Sequence, residues 1–203
     1  MKKISMITVA LLLVAAAAAQ SAHRIALDKL CDALTSSCVT MKCSYLIHIS
    51  NTIMRGNAEV AVQGDSYTMI GNGLQVYCDG TKVWSVDSAA KEVYVESFDD
   101  LATNSLANPA ALFMRLGNSF SVGASSQSDG KFMYELSPKV YCGIVSADLV
   151  LNPDGKPMSA VFMLEDDIKV EVTVESVAME KTKPEDVFRP QVAFGSDWIV
   201  TEL

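Results

Sequence analysis

Short runs in which apolar and polar residues alternate fill most of the chain, and they predict a mainly β protein. In residues 168–175 every second residue is apolar and those between are Lys, Glu or Thr. This alternation gives a sheet one apolar face and one wet face. Similar runs predict strands at residues 44–50, 57–63, 66–70, 74–78, 82–86, 92–96, 131–136, 141–151, 158–164 and 198–201.

The strongest turn signal lies in residues 74–98. Residues 74–78 and 82–86 flank Asp79-Gly80, a dipeptide typical of two-residue β-hairpin turns, and residues 88–91 turn the chain into the next strand. The turns follow too closely for intervening helices, so neighbouring strands are predicted to be antiparallel. With about ten or eleven strands in all, the sheet is expected to curl or close.

One amphipathic helix is predicted before the strands, in residues 20–35. Its apolar residues recur at roughly helical spacing, which is typical of a helix that packs on a sheet. They are Ile25, Leu27, Leu30, Cys31 and Leu34.

A second, shorter helix interrupts the strand pattern. Asn108 is a favoured helix cap and Pro109 a favoured first helical residue, while Gly117-Asn118 is expected to end the helix. Its apolar stripe is formed by Leu112, Phe113 and Leu116. The helix is interpreted as a lid or plug over one opening of the sheet; an ordinary helix that covers a sheet face fits the periodicity equally well.

The N-terminus has the three parts of a secretory signal peptide. Lys2 and Lys3 are the positive region, residues 7–19 the apolar region, and residues 17–19 a small-residue cleavage signal. Cleavage is predicted after residue 19, with residue 22 as the second choice, and the apolar run is short for a membrane span. No lipoprotein-type small-residue run precedes Cys31. Residues 20–203 are therefore expected to form a single domain in an exported compartment, without a lipid anchor.

Composition narrows the classes of partner and chemistry. Half of the residues are hydrophobic and 20% are charged, so a core is available. The formal net charge of −8 argues against nucleic acid and against anionic membrane surfaces. Five cysteines leave at least one thiol over unless it pairs between chains. The sequence is compatible both with buried free thiols and with one disulfide bond.

Residues for catalysis or metal binding are sparse. The sequence has no Gly-rich phosphate loop, Gly-x-Ser-x-Gly elbow or His-Glu-x-x-His motif. His48 with Cys43 or Cys78 is the candidate base and nucleophile, but a histidine between isoleucines is more typical of an ordinary strand residue. The chain is therefore predicted not to be an enzyme and to need no cofactor or metal. Ten methionines suit an adaptable apolar surface, in a core or in a binding site.

The order of these features resembles a known family. A signal peptide and an amphipathic helix come first. An antiparallel meander with the hairpin Asp79-Gly80-Thr81-Lys82-Val83-Trp84 follows them. The motifs Asn108-Pro109-x-x-Leu112 and Phe188-Arg189-Pro190 come after the meander. This is similar to the periplasmic outer-membrane lipoprotein carriers, the LolA-like family. The resemblance implies an α+β, mainly β fold: an unclosed antiparallel β-barrel with helices as a lid over an apolar cavity.

The resemblance also implies a function in outer membrane biogenesis. A periplasmic chaperone of this kind binds the acyl chains of lipoproteins, receives them from an inner-membrane donor and passes them to an outer-membrane acceptor. The expected partners are acylated lipoproteins or other lipid-bearing ligands, not nucleic acid, and the expected form is a monomer. Strand alternation gives the candidate cavity lining as Tyr45, Ile47, Val60, Val62, Tyr67, Met69, Val76 and Trp84 on the sheet, with Leu112, Phe113 and Leu116 on the lid.

One stretch departs from the family pattern. The well-studied carriers have an arginine just before the strand that leads into the hairpin, and it latches the lid through hydrogen bonds. Here the corresponding residues are Gly64-Asp65-Ser66-Tyr67. An alternative therefore stays open: a lipid- or lipoprotein-binding or sensor module of the envelope on the same fold, without full transport activity.

Overall fold

The computed structural model describes residues 22–98, 108–116 and 119–202. The predicted signal peptide, residues 1–19, and the predicted helix end at Gly117-Asn118 lie outside these ranges. Within them, twelve strands form one sheet in the order β12-β6-β5-β4-β3-β2-β1-β11-β10-β9-β8-β7. The strands are β1 Cys38–Ile49, β2 Thr52–Gln63, β3 Ser66–Gly71, β4 Leu74–Cys78, β5 Lys82–Asp87, β6 Glu92–Ser97, β7 Phe120–Ser128, β8 Lys131–Pro138, β9 Ile144–Leu151, β10 Pro157–Leu164, β11 Lys169–Glu180 and β12 Ile199–Glu202.

The sheet is unclosed, because β7 and β12 form its two edges and no strand pairing joins them in the described ranges. The predicted mainly β, α+β class with an unclosed sheet is confirmed. All neighbours are antiparallel except β12, which runs parallel to β6. The prediction of antiparallel neighbours is wrong at this edge, since a long connection and not a tight turn leads into β12.

In the described ranges, two α-helices pack on one face of the sheet, here called the inner face. Residues 22–36 form α1, and Pro109–Leu116 form α2. The first helix is fixed near both ends: the Tyr134 hydroxyl donates to the His23 carbonyl at 2.7 Å, and the Gly64 N–H donates to the Leu34 carbonyl at 2.7 Å. This helix therefore crosses the inner face from β8 to the β2–β3 turn.

The short helix α2 begins as the sequence predicts. The Ala110 N–H donates to Oδ1 of Asn108 at 2.8 Å, which satisfies a backbone donor that the first helical turn leaves free. Pro109 follows as the first helical residue, where its missing N–H costs nothing. The predicted cap is confirmed.

The hairpin between β4 and β5 is held by Asp79. Its Oδ1 accepts the N–H groups of Thr81 and Lys82, each at 2.9 Å, and its Oδ2 accepts Nε–H of Arg189 at 2.8 Å. Gly80 adopts a φ of +85°, a conformation that favours glycine. Burial raises the pKa of Asp79, but these hydrogen bonds outweigh burial and hold its pKa below the usual value. The hairpin is confirmed, and Arg189 links it to the far end of the chain.

Apolar residues pack on both faces of the sheet. The main core lies between the inner face and the two helices. A second group, here called the outer cluster, lies on the opposite face and contains Tyr77, Val86, Val93 and Val95 with Trp84, Phe194 and Trp198 against them. Residues 183–198, here called the C-terminal strap, lead across this outer face to β12. No helix of the described residues is long and apolar enough to cross a membrane.

Candidate ligand-binding site

The structure brings ten of the eleven predicted lining residues together on the inner face. Nine of them are buried members of the main core, and Tyr45 is half-buried against it. Residues directly opposite in the register point to the same side of a sheet, and the pairs Val60–Met69, Met69–Val76 and Val62–Tyr67 build this wall across three strands. The ten residues are Tyr45, Ile47, Val60, Val62, Tyr67, Met69, Val76, Leu112, Phe113 and Leu116.

Trp84 does not join this group, which corrects its predicted place in the lining. Val76 lies directly opposite Ser85, so the neighbouring Trp84 points to the other face. There it packs in the outer cluster with Phe194 and Trp198. Alternation along β4 and β5 separates the two faces, but it does not show which face the helices cover.

The helix α2 occupies the space above the inner wall. Seven of its eight residues are buried, and only Arg115 is partly exposed. The helix packs on β2 and β3, and the Phe113 ring meets the Phe162 ring edge-on with centroids 6.0 Å apart. An isolated helix of this length is unstable in water, so packing against the wall holds it. In this conformation side chains of α2 fill the place that a ligand on the inner wall would take.

Two polar groups lie within this apolar region. Tyr67 is fully buried, and burial raises the pKa of its hydroxyl far above the usual value. The Tyr67 hydroxyl and Nε of Arg115 are both buried and have no hydrogen-bond partner in the described structure. Sequence patterns could not reveal this, since Tyr67 has the pattern of one more apolar strand residue and Arg115 that of a helix surface residue.

A separate cavity of about 470 Å³ lies on the outer face. Its floor is a row of small residues across β11, β1, β2 and β3, and the C-terminal strap forms one wall. Two ion pairs border it, Lys42 Nζ to Glu59 Oε1 at 2.8 Å and Lys183 Nζ to Glu180 Oε2 at 3.3 Å. The ion pairs lie beside apolar residues of the same cavity, among them Ile70, Val177 and Val187. The floor residues are Ala178, Thr40, Ala61 and Thr68.

The candidate catalytic pair is not assembled. Cys43 lies in the main core on the inner face, whereas His48 is an odd number of residues away on β1 and lies 3.0 Å from Glu171 on the outer face. Burial raises the pKa of the Cys43 thiol to about 11 and that of Cys78 to about 12, so neither is a thiolate at neutral pH. Among the residues that the structure describes, no group of His, Cys, Asp and Glu is arranged to hold a metal ion.

All five cysteines lie in the described ranges, and each is a free thiol there. Four are buried and Cys31 is half-buried. The Cys31 thiol donates to the Leu116 carbonyl at 3.6 Å, a contact that joins α1 to the end of α2. Of the two alternatives that the sequence left open, buried thiols are the one that the structure has.

No protein-family model and no curated protein matches the sequence. Solved structures are similar to it at low identity. An uncharacterized conserved protein from Thermus thermophilus has a TM-score of 0.53 and 9% identity over 87% of this chain and 97% of that one. A LolA superfamily protein from Nitrosomonas europaea has a TM-score of 0.45 and 10% identity over 81% and 96%. A DUF1329 family protein from Desulfovibrio piger has a TM-score of 0.47 and 9% identity over 84% and 96%.

These similarities concern the fold alone. The fold of this chain is shared with the Thermus protein, and the similarity to the LolA superfamily protein is a distant one.

Proposed function

We propose that this protein binds the acyl chains of lipoproteins on its inner wall and carries them through the periplasm, from an inner-membrane donor to an outer-membrane acceptor. One observation carries the proposal: seven sheet residues that alternation selects as cavity lining form a single apolar group with Leu112, Phe113 and Leu116 of the short helix above them. The resemblance of the motifs to LolA-like carriers supports the same function.

The physical basis is competition between α2 and the ligand for the same apolar wall. Burial of acyl chains is favourable by about 0.8 kcal/mol for each methylene, so a chain of ordinary length gains enough to compete with the buried side chains of α2. When α2 moves away from β2 and β3, the wall of Val60, Met69 and Val76 becomes available to the chain. Release then needs only an acceptor that is more apolar, and no covalent bond is broken.

Binding is tested with a fluorescent long-chain acyl probe and with an acylated peptide whose unacylated form is the control. The proposal expects saturable binding of the probe, displacement by the acylated peptide, and no displacement by the control peptide. Absence of saturable binding would overturn it.

Transport is tested separately from binding. The protein is incubated with inner-membrane vesicles that contain a labelled lipoprotein, and the soluble complex is then presented to outer-membrane vesicles. A carrier is expected to extract the label and to transfer it.

A second candidate is a lipid- or lipoprotein-binding or sensor module of the envelope that does not deliver its ligand. One observation favours it: residues Gly64-Asp65-Ser66-Tyr67 contain no arginine, unlike the corresponding stretch of the carriers. Tight acyl binding without transfer to outer-membrane vesicles would select this candidate over the carrier.

A further inference from the structure

Two hydrogen-bond donors without partners lie where the short helix α2 packs on β3. Tyr67 is fully buried on β3, where its backbone neighbours across the sheet are Val62 and Cys78. Arg115 is on the last turn of α2, and its Nε is buried although part of the side chain reaches solvent. Neither Tyr67 Oη nor Arg115 Nε has a hydrogen-bond partner in the described structure.

Such groups call for an explanation, because most buried polar groups in native proteins are paired. A buried group left unpaired costs about 1–3 kcal/mol of stability. The two groups lie on elements that pack together, since α2 packs on β3, and the charge of Arg115 acts to lower the pKa of Tyr67 against the larger effect of burial, which raises it. The Cys78 thiol beside them is directed elsewhere and donates to the Asp65 carbonyl at 3.5 Å.

The chemistry of the two groups defines what can satisfy them. The Arg115 guanidinium only donates hydrogen bonds, and the Tyr67 hydroxyl has a hydrogen to donate. The hydrocarbon part of a lipid has no acceptor for either. A carbonyl or carboxylate oxygen has two lone pairs and can accept from both.

We infer that Tyr67 and Arg115 form a subsite for the acyl oxygen of the ligand, either the carbonyl of an ester or the carboxylate of a fatty acid. This rests on the proposed function and adds an orientation to it. The polar end of the ligand lies between β3 and the last turn of α2, and the hydrocarbon follows the apolar wall. Because Arg115 belongs to α2, the same contact draws the helix back over the bound ligand.

The test compares three competitors of the fluorescent acyl probe: palmitate, its methyl ester, and a hydrocarbon of the same length without oxygen. The variants are Tyr67→Phe, which removes only the hydroxyl, and Arg115→Met, which keeps the length of the side chain without its charge. The matched controls are Tyr77→Phe, whose hydroxyl donates to Gln75 on the outer face, and Arg24→Met, whose side chain is exposed on α1.

The subsite predicts a loss of affinity only for competitors that carry an acyl oxygen. Tyr67→Phe is expected to weaken binding of palmitate and of the ester about 3- to 10-fold, and Arg115→Met to weaken palmitate about 10- to 100-fold. Neither variant is expected to change the affinity for the hydrocarbon. Neither control variant is expected to change the affinity for palmitate, its methyl ester or the hydrocarbon. Without ligand, Tyr67→Phe is expected to melt at the same temperature or higher, since it removes an unpaired group.

The outcomes separate the two proposals. If the wild-type protein binds none of the competitors, the proposed function and the subsite both fail. The subsite alone is refuted if the wild-type protein binds the competitors but the two variants bind all three with wild-type affinity. It is also refuted if the variants lose as much affinity for the hydrocarbon as for palmitate and its ester. If Arg115→Met weakens palmitate far more than the ester, the subsite stands with a fatty acid as its ligand; equal losses assign it to an ester.

Discussion

A shortened side chain in the short helix α2 tests whether that helix competes with the ligand. Leu112 is a fully buried residue of α2, and Leu112→Ala removes apolar contacts that hold the helix on β2 and β3. For a buried leucine the loss is about 2–5 kcal/mol of unfolding free energy, and each kcal/mol lowers Tm by about 2–4 °C in a chain of this size.

The same substitution is expected to tighten ligand binding. If α2 must leave the wall before acyl chains can lie there, weaker packing of α2 raises the fraction of protein that is ready to bind. Each 1.4 kcal/mol by which the packed state is weakened raises the apparent affinity about tenfold, until the helix is mostly displaced. Leu112→Ala should therefore be less stable and should bind the acyl probe at least several-fold more tightly.

The assay pairs urea unfolding with titration of a long-chain probe, and Val86→Ala is the control. Val86 is also fully buried, but it lies in the outer cluster away from α2. The control should lose stability with no gain in affinity. Unchanged or weaker probe binding by Leu112→Ala, or an equal gain in Val86→Ala, would refute the competition between α2 and the ligand.

Three further predictions concern other parts of the fold. Asp79→Asn should lower the free energy of unfolding in urea by about 1–3 kcal/mol, and most of this loss should be absent when Arg189 is already replaced by Met. Because the pKa of Asp79 is lowered in the fold, the difference in stability from wild-type should be full above about pH 4 and should vanish as the pH falls through the pKa of the folded state. Additive effects of the two substitutions would contradict the pairing of Asp79 with Arg189. Ellman's reagent at pH 8 should react first with the half-buried Cys31 and with the other thiols only as the protein unfolds, and rapid reaction of all five would contradict their burial. In Trp198→Phe, acyl ligand should leave the emission maximum of Trp84 unchanged, whereas a shift would place Trp84 at the ligand.

The meander and the cap of α2 could be predicted because local chemistry determines them. Asp79-Gly80 and Asn108-Pro109 act through hydrogen bonds to residues within a few positions, and the structure has both where the sequence places them. The strand β4 has the predicted bounds for the same reason. Such signals need no knowledge of the rest of the chain.

The sequence pattern does not predict the edge strand β7, because its residues are mostly exposed and show no alternation of apolar and polar positions. Its residues are almost all exposed, and Ser and Gly dominate, so no alternation marks it. Only pairing with β8 makes it a strand, with a register shift between Val122 and Ala124. Sequence periodicity detects strands through the apolar face that they bury, and on β7 only Phe120 is partly buried.

Trp84 and the two unpaired donors depend on different levels of structure. The register of the β4–β5 hairpin puts Trp84 on the face opposite Val76, so alternation applied across the hairpin separates the two residues. Only the contact of Trp84 with Trp198, which is far away in sequence, depends on tertiary structure. The placement of Arg115 over the strand that carries Tyr67 depends on where α2 packs. No pattern within one strand or helix contains this information.

The parallel pairing of β12 with β6 has a consequence for the order of folding. Ile199 pairs with Glu92, so the two strands meet only after more than half of the chain has closed into a loop between them. Closure of so long a loop has a large entropic cost and is slow relative to hairpin formation. The outer cluster is therefore sealed late, by residues that a ribosome or a translocation channel releases after those of the meander. Until then Trp84 and Val93 remain open to water, and the nascent protein has an apolar surface that its finished form lacks.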